Sequence, residues 1–265
     1  MGMTQLIVLA VVQGLTEFLP ISSSGHLVLV PSIFGWTDQG LAFDVAVHFG
    51  SLIAVCVFFR HDIAAMLRGT RDILTGRFGS TDAQMAWNLG LGTIPAAVVG
   101  LLLAGWIAAN LRDPSVVVWT LAGYGILMAV VDRYATSERN ITDIGIREAI
   151  MIGCAQALAL IPGTSRSGIT ITAGRLLGIA RQDAARFSFL LSAPVILIAT
   201  LYEGVTLVTG DEPVPWDNLG LAVLISAIVA YISIGFFMRV VSVIGLLPFA
   251  VYRLLLAGVI VYVLI

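Results

Sequence analysis

Two stretches decide the fold: QGLTEFLPISSSGHL, from Gln13 to Leu27, and QALALIPGTSRSGIT, from Gln156 to Thr170. Each is a polar cluster in the middle of an apolar stretch, near 3–34 and 148–180 respectively. Pro20 and Gly25 in the first, and Pro162, Gly163 and Gly168 in the second, stop a helix there. The clusters align at a constant spacing of 143 residues, pairing Gln13 with Gln156, Leu15 with Leu158, Ser22 with Ser165, Ser24 with Ser167 and Gly25 with Gly168. Similar segments follow, AFDVAVHFGSLIAV (42–55) and ARFSFLLSAPVILIA (185–199). The chain therefore reads as a single membrane domain made of two copies of one unit, about 1–135 and 145–265. Each copy is a broken re-entrant hairpin followed by three spans.

The solvent of this domain follows from composition. Of 265 residues, 58% are hydrophobic and 11% charged, with a mean hydropathy of +0.99. Soluble domains carry about a quarter charged residues, so a water-soluble fold of this size is excluded. Apolar runs near the ~20 residues needed to cross a bilayer recur at 41–59, 87–109, 114–131, 186–208, 218–238 and 243–265. They are continuous rather than alternating, and hydrocarbon demands internal backbone pairing, so the spans are helices. The expected class is an all-α integral membrane protein. The N-terminal run lacks a basic leader and is expected to remain as the first membrane element. Cys56 and Cys154 lie in apolar runs and read as buried small hydrophobes.

Three spans per copy is an odd number, so the second copy enters from the opposite side. That is an inverted-topology repeat, a plan that places sites at the repeat interface. The charges agree. Every one of the 14 basic residues is Arg. Arg60, Arg68, Arg71 and Arg77 fall in loop 60–86; Arg133, Arg139 and Arg147 fall in loop 132–147; Arg181 and Arg239 mark two further cytoplasmic ends. Loop 209–217, with Asp211, Glu212 and Asp217, and the turn holding Arg112 are expected outside. The first hairpin then dips in from outside, the second from the cytoplasm, and their tips meet.

Ionisable residues at membrane depth mark function by default. Glu17, His26 and Arg166 all lie in the tips. Gln13 and Glu17 share a helical face and suit a hard divalent cation or a polar head group. The plainer reading is that Glu17 pairs with Arg166 and locks the hairpins. Ser22, Ser23, Ser24 and His26 offer hydroxyls and an imidazole for acid–base or nucleophilic work, or for helix capping. Arg166, among Thr164, Ser165 and Ser167 with Thr170 one turn on, reads as an oxyanion clamp. Asp44 and His48 are placed at the outer mouth and Glu203 near an outer end; Arg175 and Arg186 face cytoplasmic water or lipid head groups; Trp36, Trp216 and Tyr202 form an interfacial belt. From the residues alone this is a membrane site for a phosphorylated substrate, with hydrolysis and transport both open.

The stretches QGLTEFLPISSSGH and PGTSRSG resemble the two signatures of the undecaprenyl-pyrophosphate phosphatase family, the bacitracin-resistance proteins, and the likeness extends along the whole chain. It implies hydrolysis of undecaprenyl pyrophosphate to undecaprenyl phosphate and inorganic phosphate in a bacterial plasma (inner) membrane, with the site open toward the outer, periplasmic face. That activity recycles the lipid carrier of peptidoglycan synthesis. It also implies a divalent metal, Mg²⁺ or Ca²⁺, at Glu17 with Gln13, where some members carry Glu. Glu17, Ser23, His26 and Arg166 become the catalytic set, with Gln13, Ser22, Ser24, Thr164, Ser165, Ser167 and Thr170 binding substrate. Ser23, His26 and water stay open as nucleophiles. The expected partners are the polyprenyl pyrophosphate and membrane lipid, with a homodimer left open and no nucleic acid. The alternative is a polyprenyl-phosphate transporter or flippase.

Overall fold

In a computed structural model, residues 1–111, 113–209 and 216–265 are described; Arg112, Asp211 and Glu212, and the side chains of Trp216 and Asp217, lie outside them. Among the described residues the chain is helical, with a single isolated β-bridge between Arg139 and Ile179. The protein is a multi-pass membrane protein: among the described residues six helices are long and apolar enough to cross a bilayer. These are α3 (Leu41–Phe58), α5 (Thr81–Asn110), α6 (Pro114–Tyr134), α9 (Arg181–Thr209), α10 (Trp216–Ile244) and α11 (Leu247–Leu264). All six coincide with the spans read from hydropathy. Their apolar side chains face outward as readily as inward; Trp119 and Leu102 are 77% and 75% exposed, as a lipid-facing surface requires.

The two interrupted stretches form paired short helices. The first gives α1 (Met3–Thr16) and α2 (Ser23–Phe34); the second gives α7 (Ile146–Leu158) and α8 (Arg166–Leu176). The longest, α1, has 14 residues, or about 21 Å of helix, too short to cross a hydrocarbon core of about 30 Å. Loop 60–86 is more ordered than its charge suggested. It contains α4 (Arg60–Leu74), an amphipathic helix whose Gly69 lies so near α5 that a Cβ there would come 2.0 Å from the Asp82 carbonyl oxygen.

Packing follows an exchange rule. α1 packs on α10 and α7 on α5; α2 packs on α11 and α8 on α6; α3 meets α9, and α6 meets α11. Exchanging α1 with α7, α2 with α8, α3 with α9, α5 with α10 and α6 with α11 interchanges the first two pairs of pairings and leaves α3 on α9 and α6 on α11 unchanged. Small residues permit the close approaches, as is usual in hydrocarbon, where helices gain little from burying apolar surface against each other. A Cβ on Gly50 of α3 would sit 2.5 Å from the Val223 carbonyl of α10. A ladder of Phe18, Phe189, Phe237 and Phe249, with centroids 5.2–5.7 Å apart and its two outer pairs edge to face, runs through the core from the first hairpin to α11.

Two expectations are corrected. Arg175 faces neither water nor lipid head groups: it is fully buried. Its Nε donates to Asp132 at 3.0 Å, and its terminal nitrogens donate to the Ala135, Thr136 and Ile179 carbonyls and the Ser137 hydroxyl. Asp132 also accepts from Arg181 Nε at 2.8 Å and from the Leu246 N–H at 3.0 Å. One carboxylate thus ties α6, α8, α9 and the α10–α11 turn. Flanking charge suggested a cytoplasmic arginine, and Asp132, distant in sequence, captured it. Cys154 is exposed and Cys56 half-buried, because an apolar run in a membrane protein has a lipid side as well as a core side. Arg186 is partly exposed and pairs with Asp62 of α4.

Asp132→Ala leaves Arg175 buried without its counter-charge and should cost about 3–5 kcal/mol of stability. Arg68→Ala, which breaks the largely exposed pair with Asp82, should cost under about 1 kcal/mol. Thermal unfolding of the two variants in the same detergent orders them; equal losses would remove Asp132 from its role as the tie.

Candidate functional site

The site is built from one backbone device used twice. Glu17 closes the last turn of α1, its N–H bonded to the Gln13 carbonyl, and Pro20 ends the helix. The chain then turns at Ser22, whose φ is +71°, and enters α2. In the second copy Ser165, at φ +67°, does the same before α8. These are the two non-glycine residues with positive φ among the described residues. Such conformations cost about 1–3 kcal/mol each and persist where the surroundings enforce them. Here each serine hydroxyl caps the helix it starts, accepting from the N–H of Gly25 at 3.4 Å or of Gly168 at 3.3 Å.

The tips clasp one another. Ser24 Oγ of the first accepts from the Gly163 N–H of the second at 3.3 Å, and Ser167 Oγ donates back to the Leu19 carbonyl at 3.0 Å. Gly163, at φ +86°, lies where a Cβ would come 2.2 Å from the Thr120 hydroxyl of α6, so the tip fits only with glycine there.

At the junction, Glu17 is 8% exposed and Gln13 fully buried. Arg166 Nη2 donates to Glu17 Oε1 at 2.8 Å. The other carboxylate oxygen, Oε2, accepts from Ser23 Oγ at 2.8 Å and from Gln13 Nε2 at 3.0 Å, and lies 3.8 Å from His48 Nε2. The Arg166 guanidinium lies 5.6 Å from the ring centre of Phe18. Three polar atoms here are buried without a partner: Arg166 Nη1, Gln13 Oε1 and Thr164 Oγ1. Buried unmatched donors and acceptors are costly, and this trio joins a cationic donor to neutral acceptors. Arg166 Nη1 can donate to an anion's oxygen, the Thr164 hydroxyl can donate or accept, and Gln13 Oε1 can only accept.

Of the predicted residues, the structure brings together Gln13, Glu17, Ser23 and Arg166, with His48 at the edge. His26 is turned elsewhere. Its Nδ1 is 2.7 Å from the Ser22 carbonyl and its Nε2 is 2.7 Å from the Tyr252 hydroxyl of α11. A carbonyl only accepts, so Nδ1 carries a proton, and in the neutral ring Nε2 accepts from Tyr252. Thr170 donates to the Arg166 carbonyl at 2.7 Å and sits 2.6 Å from Ser188 Oγ, holding the helix backbone rather than reaching the guanidinium.

Sequence reasoning passed over Arg253 and Tyr252. Arg253 is fully buried and donates to the carbonyls of Gly163, Thr164, Thr120 and Leu121 at 2.9–3.2 Å. It therefore fixes the tip from which Arg166 projects. An arginine inside the last apolar span was the available signal; for Tyr252 there was none.

The comparisons with known proteins come to the same place. A family model described as Bacitracin resistance protein BacA matches residues 6–259. Undecaprenyl-diphosphatase 2 of Stutzerimonas stutzeri is 50% identical over 262 residues, 98% of this chain and 97% of its own. The undecaprenyl-diphosphatase of Teredinibacter turnerae is 50% identical over 256 residues, covering 97% of both chains. That of Nitrosococcus oceani is 49% identical over 262 residues, covering 99% of both.

A double-mutant cycle with Glu17→Gln and Arg166→Gln, read by thermal unfolding, should give a coupling of about 1–3 kcal/mol between the tips. Additive effects would mean that the contact carries no load.

Proposed function

The chain belongs to the bacitracin resistance protein family, and from that premise we propose that it hydrolyses undecaprenyl pyrophosphate to undecaprenyl phosphate and inorganic phosphate at the junction of the two hairpin tips. The observation that carries this placement is the unpartnered Arg166 Nη1 beside a serine hydroxyl already bonded to a carboxylate. An anion holder, a nucleophile and a proton acceptor thus stand together.

In the proposed reaction the terminal phosphate of the substrate lies against Arg166, whose guanidinium suits bidentate phosphate recognition. Ser23 Oγ attacks the terminal phosphorus, its proton passing to Glu17 Oε2 along the 2.8 Å hydrogen bond. The bond from that phosphorus to the bridging oxygen breaks, and undecaprenyl phosphate leaves with the bridging oxygen. Water then attacks the phosphoserine, giving inorganic phosphate and restoring Ser23 and Glu17 to their starting protonation. The geometry favours Glu17 over His26 as proton acceptor, because both His26 nitrogens are engaged with Ser22 and Tyr252.

A divalent cation, Mg²⁺ or Ca²⁺, fits the residues present. Gln13 Oε1 is buried and unpartnered on a side chain bonded to the Glu17 carboxylate. These two oxygens would hold the ion in part, with substrate oxygens and water completing a shell of the kind Mg²⁺ adopts. It would supply neutralisation of pyrophosphate charge. The opposed orientation of the two copies, the outward opening of the junction, the bacterial inner membrane and the recycling of a peptidoglycan lipid carrier belong to the same proposal. The Arg-rich loops and the family support it.

Phosphate release from a polyprenyl pyrophosphate by the purified protein should require Mg²⁺ or Ca²⁺ and stop on chelation. Glu17→Ala and Arg166→Ala should each lower kcat/KM by about 100-fold or more, the scale of losing one charge-stabilising group. Ser23→Ala should abolish an acid-stable phosphoenzyme trapped by quenching; release by Ser23→Ala at the native rate would make water the nucleophile. No release from well-folded native protein with lipid and metal present would put polyprenyl-phosphate transport in place of hydrolysis.

A further inference from the structure

We propose that the arginine-rich end of the molecule carries a second site, separate from the hairpin junction, for the phosphate head group of an anionic lipid. It lies between the C-terminal ends of α6 and α10 and the start of α11, in a cavity of about 450 Å³ lined by Asp132, Arg133, Arg181, Val130, Tyr134 and Leu247 among others. Along α6 it is twelve residues from Thr120, which bonds the second tip at Pro162; that is about 18 Å of helix.

The floor of the cavity is cationic. Asp132 is shared between Arg175 and Arg181, and its second oxygen is taken by the Leu246 N–H. Arg133 adds a further guanidinium; it is exposed, and among the described residues no hydrogen bond or ion pair engages it. Two arginines thus share one carboxylate, Arg181 and Arg133 line the cavity beside it, and the local charge is positive. The walls are apolar and open to lipid: Val130, Tyr134 and Leu247 are 49%, 82% and 60% exposed. A soluble phosphate gains nothing from those walls, whereas a phosphate carrying acyl chains meets a cation at its head and hydrocarbon contacts below. Basic pockets between spans on the cytoplasmic side are suited to lipid head groups in this way.

The test uses the full-length protein in phosphatidylcholine nanodiscs titrated with a fluorescent phosphatidylglycerol. Arg133→Gln should weaken binding about fivefold, the scale of one arginine near an anionic lipid surface. Arg71→Gln, on exposed α4, should leave it unchanged. Leu247→Ser should also weaken lipid binding, and inorganic phosphate should not compete at equal concentration. Native affinity in Arg133→Gln, an equal loss in Arg71→Gln, or displacement of the lipid by inorganic phosphate would each overturn the assignment.

Discussion

A glutamate from one hairpin and an arginine from the other, 2.8 Å apart and largely buried, set the terms for the rest of the molecule. Either charge alone at membrane depth would cost several kcal/mol. Together they neutralise one another, so each tip needs the other in place. The attraction repays desolvation only if the remaining hydrogen-bonding capacity is met. For Glu17 it is largely met, by Arg166, Ser23 and Gln13. For Arg166 it is met in part, with Phe18 beneath the guanidinium and Nη1 left over. The plain reading of the pair as a lock and the functional one are therefore compatible. The lock holds the tips, and on its arginine side one N–H donor, Nη1, is left free.

The two tips are alike in backbone and unlike in side chains. Ser22 and Ser165 share a strained conformation and a capping role, and the exchanged pairings of helices extend that likeness through the bundle. Yet at the spacing of 143 residues Ser23 corresponds to Arg166, Glu17 to Leu160 and His26 to Ile169. One copy supplies a hydroxyl and a carboxylate; the other supplies a cation. Two like tips facing each other with like charges would repel. The difference at these positions gives the two tips opposite charge where they meet, Glu17 on one and Arg166 on the other.

What was legible in the sequence was local. Hydrophobic length located the spans, and Pro20, Gly25, Pro162 and Gly163 located the breaks, because chain stiffness and helix hydrogen bonding act over a few residues. The same rule that singled out Glu17 applied to Arg253 and went unused. Other features depended on partners remote in sequence. Arg175 is indistinguishable from a surface arginine until Asp132 meets it. The hydroxyls of Ser165, Ser167 and Thr170 look alike on paper, and only the fold decides that they serve a cap, the opposite tip and a helix backbone. α4 escaped because a short amphipathic helix rich in charge has the composition of a charged loop.

The last helix joins these strands. Its neighbours Tyr252 and Arg253 reach opposite ways, Tyr252 to His26 at the first tip and Arg253 to the Gly163 and Thr164 carbonyls at the second. α11 thus fixes both tips from outside the hairpins, and a shift of α11 would move the two halves of the junction together. Arg253 is also a buried cation whose hydrogen bonds here all go to backbone carbonyls. Dipoles solvate a charge without cancelling it, so its field persists in the low-dielectric interior. The second tip therefore has the Arg253 guanidinium bonded to its Gly163 and Thr164 carbonyls and carries Arg166 two residues further on. A negatively charged group near the tips is stabilised by such a field at a distance, and a neutral one is not.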